Sequence, residues 1–247
     1  MPPISADVAP DVDRFLIRAR GACDQALEAT LADLAPDVPE GLRAAVGYAV
    51  LGSGKRFRPA LVMAAYETAG GSDTAIADIA AAVEIVHAYS LVHDDLPCMD
   101  NDDLRRGRPT LHRAMGVRTA TVAGFAMVPV AAAALARGAG RLGLSSETLR
   151  DLAGVLFRAA GGGGMIGGQV MDLLVGGQDV SLDFMADLES RKTGALIAAS
   201  VEIGAIAAGA TLRARQACRA YGEDVGLAFQ IADDVLDVTA TTSELGK

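Results

Sequence analysis

Apolar residues recur at helical spacing along most of the chain. In the stretch 74–96, Ile76, Ile79, Val83 and Val86 fall three or four positions apart, as on one face of a helix. Alanine-rich stretches elsewhere also favour helix over strand. The pattern predicts helices near residues 12–34, 40–51, 56–69, 74–96, 111–137, 146–175, 183–210 and 212–238. The breaks between them are too short for domain linkers, so we expect one all-α domain over residues 1–247.

Four consecutive glycines, Gly161–Gly164, interrupt the helix predicted at 146–175. Four glycines make an exposed helix less stable than four alanines would, by about 3–4 kcal/mol, so the run needs an explanation. One interpretation is a kink or a close approach between helices. The other is room for a ligand beside the backbone, and the sequence leaves both open.

The charge and the cysteines exclude several classes of protein. The net charge is −9, so the chain has no general basic field for nucleic acid, and any anion site must be local. Three scattered cysteines without CxxC spacing fit a reducing cytoplasm and argue against a disulfide scaffold or a zinc site. The N-terminal residues carry acids where a signal peptide has basic residues. We therefore expect a cytoplasmic protein that binds no nucleic acid.

One stretch is apolar enough to be weighed as a membrane span. Residues 119–136 carry no charge, but Pro129 interrupts the run and arginines flank both of its ends. Alanine also dominates it where leucine would be expected in a span. A buried helix of a bundle is the better interpretation, so we expect no membrane span.

Two clusters of aspartates stand among apolar residues, which is unusual for a solvated helix face. One lies at the end of the 74–96 helix and consists of Asp94, Asp95 and Asp100. The other lies in the last predicted helix and consists of Asp233, Asp234 and Asp237. Positions 233 and 237 share a helix face, with Gln230 one turn earlier. Crowded carboxylates repel unless they are protonated or bound to cations, and oxygen ligands without Cys or His select Mg²⁺ or a similar ion. The clusters therefore predict metal sites.

Two basic segments complete this pattern. GKRFRP at 54–59 opens a predicted helix, and LRRGR at 104–108 follows the first acidic cluster directly. Positive side chains that face metal-loaded carboxylates form a cradle for a diphosphate, because arginine forks bind its remaining oxygens. The chain has only three lysines against 19 arginines, and all three lie in motif-like strings: Lys55, Lys192 and Lys247.

Five strings, in this order, resemble the trans-isoprenyl diphosphate synthases: GSGKRFRP, EIVHAYSLVHDDLPCMDNDDLRRGRPTLH, GGQVMD, RKTG and FQIADDVLD. The resemblance runs from about residue 43 to the C-terminus. It implies an all-α helical bundle around a deep central cavity, usually a homodimer. It also implies Mg²⁺-dependent head-to-tail (1′-4) condensation of isopentenyl diphosphate with an allylic diphosphate, dimethylallyl or geranyl, with release of diphosphate.

The same resemblance assigns roles to individual residues. Two Mg²⁺ ions, or Mn²⁺ as an alternative, would be held by Asp94, Asp95 and Asp100. A third ion would be held by Asp233, Asp234 and Asp237. Isopentenyl diphosphate would be bound by Lys55, Arg58, His87 and Arg106, and the allylic diphosphate by Arg105, Lys192 and Lys247. Oxygens near the developing carbocation would come from Thr193 and Gln230, and the metal site would be lined by Gln169 and Asp172.

These residue types fit the reaction. Ionisation of the allylic C–O bond leaves negative charge on the diphosphate, which divalent ions and fixed cations stabilise. Neutral oxygen dipoles stabilise the carbocation, and an apolar cavity excludes water. The isopentenyl double bond then attacks, and the released diphosphate is the expected proton acceptor. His87 lies seven residues before Asp94, two turns away on the same face, so we expect it to contact substrate in the same cavity.

The residues just before the first acidic motif form the cavity floor in this family. Tyr89 lies five residues before Asp94, roughly 7–8 Å deeper along the helix. The pair Tyr89-Ser90, with two extra residues inside the first motif, resembles the bacterial farnesyl type. We therefore expect chiefly farnesyl diphosphate (C15). The alternative is geranylgeranyl diphosphate (C20), if Tyr89 merely packs between helices and longer products pass it.

Three other functions fit parts of the pattern. A class I terpene cyclase shares the first motif, but its second motif usually mixes Asn, Ser and Glu, unlike DDVLD here. A di-iron carboxylate bundle needs two ExxH strings, and Glu84–His87 supplies one. A non-catalytic subunit of a heteromeric synthase typically loses acidic residues that are intact here.

Family members usually continue past Lys247 with a further lysine and a closing helix pair, so we expect the domain to lack that C-terminal segment.

Overall fold

A computed structural model of the protein describes residues 9–34, 38–176 and 179–239. This part is built almost entirely of helices: α1 (Ala9–Asp33), α2 (Glu40–Val50), α3 (Phe57–Thr68), α4 (Ile76–Asp94), α5 (Leu111–Met115), α6 (Val117–Arg141), α7 (Ser146–Ala160), α8 (Met165–Val175), α9 (Leu182–Glu189), α10 (Ala195–Ala207) and α11 (Leu212–Thr239). A π-helical turn, Ser190–Gly194, joins α9 to α10. Strands β1 (Leu104–Arg105) and β2 (Arg108–Pro109) form a small antiparallel hairpin. The predicted all-α class is confirmed.

Helix α4 lies at the centre of the bundle because apolar residues surround it on all sides. It contacts α1, α2, α3, α6 and α10, and Ile79 and Val83 on it are fully buried. Gly138 of α6 allows the closest approach, since an added Cβ there would lie 2.7 Å from Ile79 Cγ1. A helix buried in this way ends inside the protein, and its end carries Asp94 and Asp95.

The predicted helix boundaries hold to within a few residues, but three predicted helices are divided. The one at 111–137 is divided at Gly116, which has a φ of 86°. The one at 146–175 is divided at Gly161–Gly164, and the one at 183–210 contains the π-helical turn. Helix α6 continues to Arg141, past the predicted end at residue 137. Gly138 lies inside the helix because its bare backbone packs against α4.

Two helices of the described part, α4 and α6, are long and apolar enough to cross a membrane by composition alone. In α4, 78% of the apolar stretch is buried inside the protein, as is typical of a core helix, whereas in α6 the share is 44%. The outward side of α6 carries Val122, Phe125 and Val128 as exposed side chains. Helix α6 therefore has one packed face and one exposed apolar face.

We expect Asp78→Ala to lower the free energy of unfolding by about 3 kcal/mol. The Asp78 side chain is buried and accepts hydrogen bonds from Arg137 (2.8 Å) and Arg141 (2.7 Å), so truncation removes the buried partner of two guanidiniums. Urea unfolding measures the change. The control is Asp151→Ala, which breaks an exposed ion pair with Arg215 and should change stability by about 0.5 kcal/mol or less. Equal losses in the two variants would contradict a stabilising role for the buried network.

Candidate active site

The loop before α3 carries the first basic residues of the site. Lys55 is exposed, whereas Arg58 is half-buried with Nη1 3.4 Å from His87 Nε2. Burial lowers the pKa of Arg58 to about 10, against the opposing charge of Glu84. Arg58 Nε is buried and has no hydrogen-bond partner among the described residues. An unpaired guanidinium N–H in a buried place is well suited to an anionic ligand.

His87, on α4, lies beside these cations in its neutral form. Burial, followed by the charges of Arg58 and Arg106, lowers the pKa of His87 well below its usual value. A neutral imidazole can therefore donate a hydrogen bond to an anion here without adding to the local positive charge. The structure brings His87 and Arg58 together as the sequence predicts, and their contact with substrate stays a prediction.

The β1–β2 hairpin brings the second basic segment to the same place. Arg106 and Gly107 form its tip with φ values of 54° and 74°, as in a two-residue hairpin turn of the type that favours glycine. Arg106 donates to the Ser53 carbonyl at 3.0 Å, which ties the hairpin to the loop before α3. Tyr48 donates to the Pro109 carbonyl at 2.7 Å and fixes the other strand. Two basic segments that are distant in sequence thus meet in space.

The first acidic cluster begins where α4 ends. The backbone N–H of Asp100 donates to the Asp94 carbonyl at 2.8 Å, so the intervening loop folds back on the helix end. Burial raises the pKa of the half-buried Asp94 carboxyl to about 6; Lys192 opposes this rise and Asp100 adds to it. Because burial disfavours the charged form of this carboxyl, a bound cation would stabilise that form.

Asp95 faces Arg105 in the structure. It is 3% exposed, and its Oδ1 accepts from Arg105 Nε at 2.9 Å and from a second Arg105 nitrogen. Arg105 also donates to Asp102 at 3.1 Å. Burial raises the pKa of Asp95 in spite of the arginine. The roles predicted for this pair, in metal binding and in allylic diphosphate binding, therefore stay predictions.

Helix α11 brings the second acidic cluster towards the basic residues. Phe229 stacks on Phe57 of α3 with ring centroids 5.6 Å apart. Burial lowers the pKa of Arg58, and the charge of Asp233 is among those that oppose this fall, so the carboxylate acts on the basic residues. Other predicted residues fall outside the described part, namely the side chains of Asp234 and Asp237 and all of Lys247.

The π-helical turn Ser190–Gly194 presents Lys192 and Thr193, a feature that no local sequence signal predicts. Lys192 Nζ lies 2.5 Å from Asp172 Oδ2 on α8. The two segments approach closely at Gly168, where an added Cβ would lie 2.4 Å from the Lys192 backbone nitrogen. Lys192 and Asp172 are thus in contact, and the roles predicted for them at the allylic diphosphate and at the metal site stay predictions.

Gln169 is the clearest orphaned polar group beside this contact. It is 9% exposed, and both polar atoms of its side-chain amide are buried without a hydrogen-bond partner among the described residues. An unpaired buried amide is unfavourable unless a ligand, an ion or water completes it. This supports the predicted position of Gln169 at the lining of a metal or diphosphate site.

Tyr89 is buried at the contact between α4 and α6. Its ring packs edge-to-face on His93 at 5.7 Å, and the His93 ring packs on Phe125 at 5.3 Å. Burial, followed by the charge of Asp94, raises the pKa of Tyr89. Ser90 donates to the His87 carbonyl at 2.8 Å, so its hydroxyl bonds to its own helix. These contacts fit packing between helices as well as a cavity floor.

A divalent ion fits the residue types of the site. Within the described part, no three His, Cys, Asp or Glu side chains lie close enough to hold a metal ion as they stand. Asp94 and Asp100 nevertheless offer oxygen ligands, and their like charges repel one another. The side-chain amide of Gln169, which has no hydrogen-bond partner among the described residues, offers a further oxygen. Such donors suit a hard cation such as Mg²⁺.

A groove of about 830 Å³ runs beside the glycine-rich segment and α11, where Gln230 lines it. Both interpretations of Gly161–Gly164 hold in part. An added Cβ at Gly164 would lie 2.1 Å from the Ala159 carbonyl, which indicates close packing, whereas Gly162 and Gly163 have open space. The segment therefore both divides α7 from α8 and borders a groove.

Known proteins resemble this chain in sequence and in fold. The model of the polyprenyl synthetase family matches residues 39–247. A geranylgeranyl pyrophosphate synthase 7 of Arabidopsis thaliana is 38% identical over 96% of the chain and 67% of its own length. A geranylgeranyl pyrophosphate synthase of Catharanthus roseus is 40% identical over 96% of the chain and 65% of its own length. Both are described as chloroplastic.

A solved apo structure of an FPP/GFPP synthase from Zymomonas mobilis has 37% identity and a TM-score of 0.83. The match covers 92% of this chain and 82% of the solved chain. The chain thus spans about two thirds of the curated relatives' length. The resemblance that the five strings indicate is confirmed, and the chain belongs to the polyprenyl synthetase family, that of the trans-isoprenyl diphosphate synthases.

Proposed function

We propose that this protein joins isopentenyl diphosphate to an allylic diphosphate by 1′-4 condensation and releases diphosphate. One observation carries the proposal: Arg58 Nη1 lies 3.4 Å from His87, while Lys192 acts on Asp94 seven residues later, at the end of the same helix. Two cationic groups about two helical turns apart suit two diphosphates in one cavity. The relatives named above carry out reactions of this class by their names.

At one end, isopentenyl diphosphate is held by the basic loop. Arg58 offers its unpaired Nε–H. Nε2 of His87 accepts from Arg58 Nη1 at 3.4 Å, which leaves the Nδ1–H of the imidazole as its donor. Arg106, which the hairpin fixes against Ser53, adds a second guanidinium. Lys55 is exposed at the edge of the site and covers the substrate from the solvent side.

At the other end, the allylic diphosphate is held by Lys192 and Arg105. Magnesium ions would be held by Asp94, Asp95, Asp100 and Asp233, with Asp234 and Asp237 completing the set. Bound Mg²⁺ would supply neutralisation of the charge that develops on the leaving diphosphate. Thr193 and Gln230 would offer neutral oxygens to the carbocation.

The product assay tests the proposal. Purified protein is incubated with Mg²⁺, isopentenyl diphosphate and dimethylallyl or geranyl diphosphate, and the products are dephosphorylated and sized. Chain extension that disappears with EDTA is the expected result. Cyclic hydrocarbons made from the allylic substrate alone would indicate a terpene cyclase. No turnover in the chain extended by a relative's C-terminal segment would indicate a non-catalytic subunit.

The product we propose is chiefly geranylgeranyl diphosphate (C20). The curated relatives named above are geranylgeranyl synthases, which favours C20 over the C15 product expected from the sequence. His93 of the same helix links the Tyr89 ring to Phe125 of α6, so the ring limits the cavity together with a second helix and not alone. The C15 product remains the second candidate, because Tyr89 lies near Asp94 and a solved relative is an FPP/GFPP synthase.

We expect Tyr89→Ala to lengthen the product. Removing the ring opens space about 7–8 Å behind Asp94, so products longer than those of the unmodified protein should become the main fraction. The control is Tyr221→Ala on the exposed face of α11, which should leave the product distribution unchanged. Chromatography of the dephosphorylated products measures both. An unchanged distribution in Tyr89→Ala, with turnover retained, would show that Tyr89 does not limit chain length.

We further propose a homodimer built on the exposed face of α6. Val122, Phe125 and Val128 give this face an apolar surface that is unusual on a monomer. Light scattering after size exclusion tests the assembly.

The cytoplasmic location expected from the cysteines stays a prediction, because the plant relatives are chloroplastic.

A further inference from the structure

Arg56 stands between two residues that are expected to bind diphosphate, Lys55 and Arg58, but its side chain turns into the protein. It is 5% exposed. Its backbone is left-handed, with φ 50° and ψ 39°, which residues other than glycine rarely adopt. The Arg56 guanidinium borders the same pocket as His87 and Arg106, but its nitrogens are directed at protein acceptors.

All three nitrogens of the Arg56 guanidinium donate to protein atoms. Nε donates to Asp24 on α1 at 2.8 Å, and Nη1 donates to Glu84 on α4 at 2.8 Å. Nη2 donates to the carbonyls of Val50 (2.9 Å) and Gly52 (3.0 Å) at the end of α2. One side chain thus joins three helices to the loop, and little of it is left for a substrate.

Glu84 gives this contact an electrostatic role as well. It is 3% exposed and lies one helical turn before His87. Burial lowers the pKa of Arg58 and of Arg106, and the charge of Glu84 opposes the fall in both. At Arg56, Glu84 and Asp24 outweigh the effect of burial and raise the pKa. A buried carboxylate therefore offsets the mutual repulsion of three guanidiniums before any diphosphate is bound.

We infer that Arg56, held by Asp24 and Glu84, is a positioning residue that fixes residues 55–58, the loop end and first turn of α3, for isopentenyl diphosphate. Asp24 lies outside residues 39–247, the part that the family model matches. Helix α1 thus takes part in substrate binding through a contact that the family match does not cover. The inference rests on the proposed function, since it names the substrate of the same loop.

Calorimetric binding of isopentenyl diphosphate to Arg56→Lys and Asp24→Asn tests the inference. Lysine keeps the charge, but its single nitrogen cannot reach acceptors on three helices. We expect Kd to rise about tenfold in Arg56→Lys and by a smaller factor in Asp24→Asn. The double variant should bind no more weakly than Arg56→Lys alone, because both changes break one contact. In turnover assays, KM for isopentenyl diphosphate should rise while KM for the allylic substrate stays within about twofold.

The matched control is Glu67→Gln. It breaks the exposed ion pair between Glu67 Oε1 on α3 and Arg18 Nη1 on α1, which lie 2.7 Å apart. It should leave the Kd unchanged. Unchanged binding in both Arg56→Lys and Asp24→Asn, or an equal rise of both KM values, would overturn the inference while the function stands. If the unmodified protein binds neither isopentenyl diphosphate nor inorganic diphosphate, the inference and the proposed substrate fall together.

Discussion

Asp94→Asn should lower kcat for condensation by about 10³-fold or more without lowering the melting temperature. Asn keeps the shape of the side chain and removes one anionic oxygen from the place where Mg²⁺ is proposed to bind. Burial already raises the pKa of Asp94 to about 6, so its charged form is disfavoured in the folded protein. At neutral pH, above that value, ionised Asp94 therefore opposes folding, and its replacement is expected to be neutral or stabilising.

Steady-state kinetics over a range of Mg²⁺ concentrations measures the first effect, and thermal unfolding measures the second. Asp151→Asn, an acid on the exposed side of α7, is the control and should change neither. A kcat within about tenfold of the unmodified protein would remove Asp94 from the proposed metal ligands. A large fall in melting temperature would show that Asp94 supports the fold instead.

The sequence predicts the helices well because burial and helical spacing go together in this protein. Ile79 and Val83 are both spaced for one helix face and fully buried. The failures occur where glycine has two opposite uses. Gly116, with a φ of 86°, ends a helix, whereas Gly138 sits inside α6 because Ile79 packs against its bare backbone. Local sequence cannot separate these uses, since the deciding partner lies on another helix.

The sequence also predicts which residues gather at the site, but not which of them are occupied by protein partners. In the string Lys55-Arg56-Phe57-Arg58, the resemblance assigns substrate contact to Lys55 and Arg58 and gives Arg56 no role. The structure adds that Arg56 binds protein, whereas Arg58 retains a free Nε–H. Asp95 is likewise paired with Arg105. These differences depend on backbone conformation and on helices distant in sequence, which a motif does not record.

Product length shows the same limit more sharply. The position of Tyr89 five residues before Asp94 suggests a floor, but what limits the chain is whether the ring can move. In the structure it packs on His93, which in turn contacts α6: an added Cβ at Gly124 would lie 2.0 Å from His93 Nε2. A ring supported in this way is set by two helices, so one residue before the motif does not decide the product alone.

Gly168→Ala should lower kcat by about 100-fold and the free energy of unfolding by about 1–3 kcal/mol. The added Cβ would lie 2.4 Å from the backbone nitrogen of Lys192 and 2.7 Å from its Cα, and backbone atoms cannot turn away as a side chain can. Helix α8 and the π-helical turn must therefore separate, which moves Lys192 from Asp172. Kinetics and urea unfolding measure the two effects.

The control for this variant is Gly163→Ala, in the same glycine-rich region. An added Cβ at Gly163 meets nothing within 4 Å, and its φ is not in the left-handed region, so activity should stay within about twofold. Alanine there restricts the unfolded chain and should raise stability slightly. If Gly168→Ala loses stability but keeps kcat, then the close contact at Gly168 serves packing only, and Lys192 does not depend on it for its catalytic position. If both variants lose activity equally, the whole segment is sensitive to alanine, and the contact with Lys192 is not the cause.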